Sequence, residues 1–163
     1  MKEDPKDKAL REHVVYLLAD GGAHAKFNEV LAGVQPKLRG EKPDGVPHSL
    51  WMLLEHMRIA QWDILEFSRN ANHVSPKWPE GYWPRTEALP NLAAWNASIK
   101  KFRQDLKAMQ DLVRNPKTNL FARIAWGDGQ TILREALLVA DHNAYHLGQM
   151  LDVRRLLGAW PEK

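Results

Sequence analysis

The sequence predicts an all-α protein, a four-helix bundle with long connecting loops. Four long segments repeat their apolar residues at the spacing of an amphipathic helix. Proline and glycine separate these segments. The run "FARIAW" is the one strand-like stretch, and it is short. At 163 residues, the chain is expected to form a single domain over residues 1–163.

The first half of the chain holds two of the predicted long helices. One begins at Pro5 and stops at Gly21 and Gly22, because proline favours the first turn of a helix and glycine its end. A short apolar piece, "FNEVLAGV", and a loop rich in proline and glycine follow. The second long helix covers residues 48–69.

The second half holds the other two. A polar and aromatic loop over residues 70–90 leads to a lysine-rich amphipathic helix over 91–114. A further connection ends at Thr131, a residue type that favours helix starts, and the last helix runs from there to about Gly158.

Composition excludes several function classes. The formal charge is +3, and no run of Lys and Arg could follow a phosphate backbone, so no nucleic-acid partner is expected. The chain has no cysteine, which excludes disulfides, thiolate metal ligands and a thiol nucleophile of its own. No apolar stretch is long enough for a membrane span, and "MKEDPKDKAL" lacks the character of a signal peptide. We therefore expect a cytoplasmic protein without a membrane partner.

The last helix carries polar groups on the face that should be buried. At about 100° per residue, His142, His146, Gln149 and Glu135 all fall within its apolar stripe. An imidazole buried without a partner is costly, so these histidines should be satisfied by hydrogen bonds or by a metal. Their i, i+4 spacing places both rings on one face, which suits a metal.

The second long helix supplies a third histidine. His56 lies in the middle of its apolar arc, and Asp63 lies two turns further along the same arc. His48, near the start of this helix, is the reserve candidate. Three nitrogens from two helices predict a metal site at His56, His142 and His146 that keeps an open coordination position.

Nitrogen ligands favour Zn, Ni or Fe(II) over Ca or Mg. A zincin would need a Glu directly after the first histidine, where this chain has Asn143. A ferritin-like di-iron site would need several Glu and Glu-x-x-His pairs, which these helices lack. The remaining alternative is a structural bundle whose histidines bond one another.

Three further residues are candidates for orienting the metal ligands: Asp63, Glu135 and Gln149. Gln149 fits a core amide equally well, and Glu135 fits a helix first turn, where a carboxylate is favoured. The loop segment "WPEGYWP" could form an aromatic wall over the site, but we favour packing over an exposed bundle end.

The segments "LLEHMRIAQWDIL" and "DHNAYHLGQ", set in a four-helix pattern, resemble the DinB-like superfamily over nearly the whole chain. The pairing of H-x3-H-x-G-Q with a histidine in "LLEH" is more specific than H-x3-H alone. The resemblance implies a metal-binding bundle whose ligands match His56, His142 and His146, and a homodimer. The known members that this chain resembles are thiol-dependent transferases or isomerases that use bacillithiol, mycothiol or glutathione, so the resemblance implies an activity of this kind. Many members have no assigned activity.

The expected function is that of a metal-dependent enzyme acting on a small molecule, such as a low-molecular-weight-thiol S-transferase. Because the chain has no cysteine, the thiol would come from a cosubstrate. The open position could instead hold water for hydrolysis, and a metal-binding stress or sensor protein without turnover is the further alternative. No catalytic side chain is assigned by the sequence.

Overall fold

The computed structural model describes residues 4–19 and 21–161, and these form helices joined by loops. The α-helices are α1 (Pro5–Leu18), α2 (Phe27–Leu31), α3 (Leu50–Arg69), α4 (Leu92–Arg114) and α5 (Ile132–Leu156). Within the described residues, β-pairing is limited to one isolated bridge between Arg123, in the "FARIAW" run, and Thr131. The all-α prediction is confirmed, and the short apolar piece is the five-residue helix α2.

Side-chain caps fix where the three longest helices begin. Ser49, Asn91 and Thr131 each accept a hydrogen bond from a backbone N–H in the first turn of α3, α4 and α5. Such caps satisfy amide groups that would otherwise have no partner. The end of α5 lies slightly before the predicted one, because Gly158 adopts a φ of +62° that no longer continues the helix.

Helices α3 and α5 pack side by side in opposite directions. The first half of α3 and the second half of α5 share one apolar cluster, which includes Leu53 and Met150. The second half of α3 and the first half of α5 share the other, which includes Leu65 and Val139. This arrangement brings the middle of α3 opposite the middle of α5.

Helix α4 packs mainly on α3, and α1 packs on α4 and α5, which closes the bundle. None of the helices in the described part of the chain combines the length and the apolar character that crossing a lipid bilayer requires.

Arg154 ties α2 to the end of α5. Its guanidinium donates to the backbone oxygens of Glu29, Val30 and Ala159, and the residue is only 3% exposed. Arg154→Met should lower the free energy of unfolding by about 2 kcal/mol, because buried carbonyls lose charged donors. Its neighbour Arg155, which faces solvent, is the matched control, and Arg155→Met should change stability by less than about 0.5 kcal/mol. Urea unfolding of both variants measures the difference, and equal losses would contradict this role.

Candidate metal centre

Three histidines converge between α3 and α5. The Nε2 atom of His56 lies 3.1 Å from the Nε2 of His146 and 3.1 Å from the Nε2 of His142. One potential ligand atom from each of the three rings lies within 4.8 Å of the others. His56 and His146 are buried, and His142 is half-buried. The structure thus brings together the three residues that the two helical patterns placed on core faces.

The outer nitrogen of two of these rings is held by a hydrogen bond. His56 Nδ1 lies 2.8 Å from the backbone oxygen of Tyr82, and His146 Nδ1 lies 2.7 Å from Oε1 of Gln149. Both partners are carbonyl oxygens, which accept hydrogen bonds and cannot donate them. Each Nδ1 therefore carries the proton, and each Nε2 of a neutral ring presents a lone pair to the centre.

The rings stay neutral because they are shielded from water. Burial, reinforced by the neighbouring imidazoles, lowers the pKa of His142 to about 3. Burial also lowers the pKa of His146 to about 4, against the opposing effect of the hydrogen bond that its ring donates to Gln149. The pKa of His56 is lowered by burial as well. Metals bind the neutral form of histidine, so the cluster is in its binding form at neutral pH.

Hydrogen bonds among the rings cannot satisfy the cluster. With both Nδ1 atoms protonated, His56 and His146 face each other at 3.1 Å through two lone pairs. His142 can donate one proton to His56, but the contact between His56 and His146 still lacks one. A cation at the centre would replace this repulsion by attraction. The donor set therefore fits a divalent metal that accepts imidazole nitrogen, such as Zn, Ni or Fe(II).

The three other predicted site residues take different positions. Gln149 contacts the cluster directly through His146. Asp63 instead accepts hydrogen bonds from His73 Nε2 at 2.7 Å and from the Tyr82 hydroxyl at 2.6 Å. Glu135 is 2% exposed and pairs with Arg134 at 2.7 Å. Asp63 and Glu135 thus lie near the cluster without a hydrogen bond to any of its rings.

The loop segment "WPEGYWP" lies against the cluster, contrary to our preference for packing over a bundle end. Trp83 stacks on His56 with ring centres 4.1 Å apart. Trp83 also stacks on His48, again with ring centres 4.1 Å apart. The reserve candidate His48 therefore packs beside the site and is not one of the converging rings. Tyr82 and Trp83 were not among the candidate site residues predicted from the sequence. The high aromatic content of this loop was the sequence feature that could have identified them.

Asp63 links α3 to this loop. Its carboxylate receives the hydroxyl of Tyr82, whose own backbone oxygen receives His56 Nδ1–H. Burial and this bond to Asp63 raise the pKa of Tyr82 to about 12, so the hydroxyl keeps its proton and remains a donor. Asp63 therefore acts on His56 through Tyr82.

A cleft of about 370 Å³ opens beside the cluster. His56 and His142 lie at one end, and Asp63 and Glu135 are also in its wall. Between them the wall is largely apolar, with Ala60, Ile64, Phe67 and Leu138 from the two helices. Trp78 and Tyr82 close it from the loop side. A small molecule in the cleft would therefore reach the histidines directly.

Comparison with known protein families places much of the chain within a family. The model described as DinB superfamily matches residues 21–150, about four fifths of the chain, and this span contains all three histidines. Searches of curated proteins and of solved structures give no significant match. Because the family match covers well over half of the sequence, the chain belongs to the DinB superfamily.

Proposed function

We propose that this chain is a metal-dependent enzyme, with a divalent cation held by His56, His142 and His146, that transfers a low-molecular-weight thiol to an electrophile. The observation that carries the proposal is the cleft that ends at two of these histidines. A purely structural histidine cluster does not need an adjacent ligand-sized cleft.

The metal's contribution follows from its donors. A divalent ion held by these three neutral nitrogens would favour the ionised form of a thiol or of water bound to it. The protein's part is to aim the Nε2 atoms, and it does so for His56 through Tyr82 and for His146 through Gln149. Trp83 covers one face of His56 and keeps water away from that ring.

The choice of a thiol rests on composition and on the family. The chain has no cysteine, so any sulfur nucleophile must come from a cosubstrate. In the transfer, the thiol proton passes to water, a sulfur–carbon bond forms and the electrophile's leaving group departs with its electron pair. The apolar middle of the cleft suits the carbon skeletons of both reactants.

Thiol transfer can be tested with protein purified without a histidine tag and loaded with Zn, Ni or Fe(II). Glutathione, bacillithiol, mycothiol and cysteine would each be offered with 1-chloro-2,4-dinitrobenzene, and release of the thioether followed by absorbance. We expect one thiol to react at least about tenfold faster with the metal-loaded protein than with the metal-free protein, because few free thiols are ionised at neutral pH.

His146→Ala is the control for this assay and should react like the metal-free protein. Metal-loaded protein that turns over esters or amides, and no thiol, would support the hydrolase alternative. Stoichiometric metal with no turnover in either screen would support a metal-binding stress or sensor protein. No bound metal after loading would support the structural bundle.

Three other expectations stay predictions: a single domain over residues 1–163, a cytoplasmic location and a homodimer. They concern the whole molecule and do not affect the chemistry proposed for the cluster.

A further inference from the structure

The cleft has a second polar end, two helical turns from the histidines. Glu135 precedes His142 by seven residues on α5, and Asp63 follows His56 by seven residues on α3. Because α3 and α5 run in opposite directions, both carboxylates lie toward the same end of the cleft. Seven residues of helix correspond to about 10 Å. A bound molecule that touches both ends must therefore be elongated.

The two carboxylates differ in what they already bind. Both oxygens of Asp63 are engaged inside the protein, by His73 and by Tyr82. Glu135 has a single side-chain partner, Arg134, through Oε1. The side chain of Arg134 is 58% exposed, whereas that of Glu135 is 3% exposed. Glu135 is thus a fixed, buried anion whose counter-ion lies largely in solvent.

Such a group favours a ligand that brings positive charge and hydrogen-bond donors. A buried carboxylate gains more from a cation that shares its shielded position than from one exposed to water and salt. A carboxylate on the ligand would instead approach two acidic side chains, with Arg134 as the cationic side chain of the cleft wall. The apolar wall between the two ends suits an uncharged carbon linker.

We propose that the cleft takes an aminothiol, with its sulfur at the histidine cluster and its ammonium group at Glu135. The proposal rests on the thiol-transfer function above and adds the class of thiol. It predicts that affinity depends on the charge at the far end of the thiol and on the distance between the two ends.

Binding can be measured without turnover on the cobalt-loaded protein, because a thiolate bound to Co(II) gives a charge-transfer absorption band. The probes are 6-aminohexane-1-thiol, 6-hydroxyhexane-1-thiol and 6-mercaptohexanoic acid, whose long linkers keep their thiol acidities similar. We expect the amine to bind roughly tenfold more tightly than the alcohol, as for a charge-assisted hydrogen bond. Shortening the linker, down to 2-aminoethanethiol, should remove the preference.

Glu135→Gln keeps the shape of the side chain and removes its charge. In this variant the amine and the alcohol should bind equally, while the affinity for the alcohol stays within about twofold of wild type. Asp141→Asn is the matched control: it changes the net charge by the same amount at an exposed position of α5 and should retain the preference.

The outcomes distinguish a failure of the aminothiol assignment from a failure of thiol binding. Equal binding of amine and alcohol to the wild-type protein, which needs no variant, would overturn the aminothiol assignment and leave thiol binding intact. Tighter binding of the mercapto acid would overturn it in favour of recognition by Arg134. A preference that survives in Glu135→Gln would also overturn it. Absence of the absorption band with every thiol would overturn both proposals.

Discussion

Replacing His146 with alanine should lower the affinity of the protein for zinc by at least about 100-fold. Loss of a residue that only orients a ligand commonly costs 10- to 100-fold, and loss of a ligand should cost more. His146 is buried, and its Nδ1–H is fixed by Gln149, so no neighbouring side chain can simply replace its nitrogen. Competition with a zinc-binding chromophore measures the affinity, and elemental analysis gives the stoichiometry.

His13→Ala is the control for this substitution. His13 is exposed on α1 and lies outside the cluster. Its substitution removes one imidazole and leaves the candidate ligands unchanged. It should bind zinc like the wild-type protein. Circular dichroism of each variant shows whether the helices are retained. If folded His146→Ala keeps one tightly bound zinc, the ion is held elsewhere and the assignment of the three histidines is wrong.

Helical periodicity was sufficient to predict that the three histidines lie on the core faces of their helices. A regular helix fixes the direction of every side chain, so a residue on the apolar arc must point to the core. His56, His142 and His146 followed this rule, and so did Gln149, one turn beyond His146. Thr131 was also identified from the sequence as the start of the last helix, and its side chain caps α5 as this residue type allows.

Contacts made by the loops could not be predicted from helical periodicity. Asp63 lies on the predicted arc, but its hydrogen bonds go to His73 and Tyr82, which belong to the segment after α3. Periodicity says nothing about the path of such a segment. The partner of His56 Nδ1 is a backbone oxygen, a group that every residue carries, so no side-chain pattern could single out Tyr82.

Acid should destabilise the metal-free protein. In the folded chain the pKa of His142 is lowered by burial to about 3 and that of His146 to about 4, whereas the ordinary value is 6.5. Between pH 6.5 and about 4, the unfolded chain therefore binds more protons than the folded chain. Stability falls as pH is lowered through this range, by up to about 2 kcal/mol per histidine from pH 6.5 to 5. Above pH 6.5, the full contribution of these histidines to the free energy of unfolding is present.

Urea unfolding of chelator-treated protein at a series of pH values measures this loss. His142→Gln lacks one of the shifted groups, so its stability should fall less over the same range, by about 1–2 kcal/mol. If both proteins lose stability equally, His142 is not protected from protonation in the folded state.

The affinity of the folded protein for zinc should stay nearly constant over the same acid range. Protons compete with a metal only for ligands that they can occupy. Folded His142 and His146 stay unprotonated until the pH approaches about 4, and burial lowers the pKa of His56 as well. We expect the Kd for zinc to change by less than about threefold between pH 7.5 and 5.5, whereas exposed histidines would lose roughly tenfold per unit for each protonated ligand. Competition with a chelator of known pH dependence measures it. A tenfold weakening by about pH 5.5 would show that the metal-free rings are protonated. A proton would then lie between His56 and His146, and the facing lone pairs that favour a cation there would not exist.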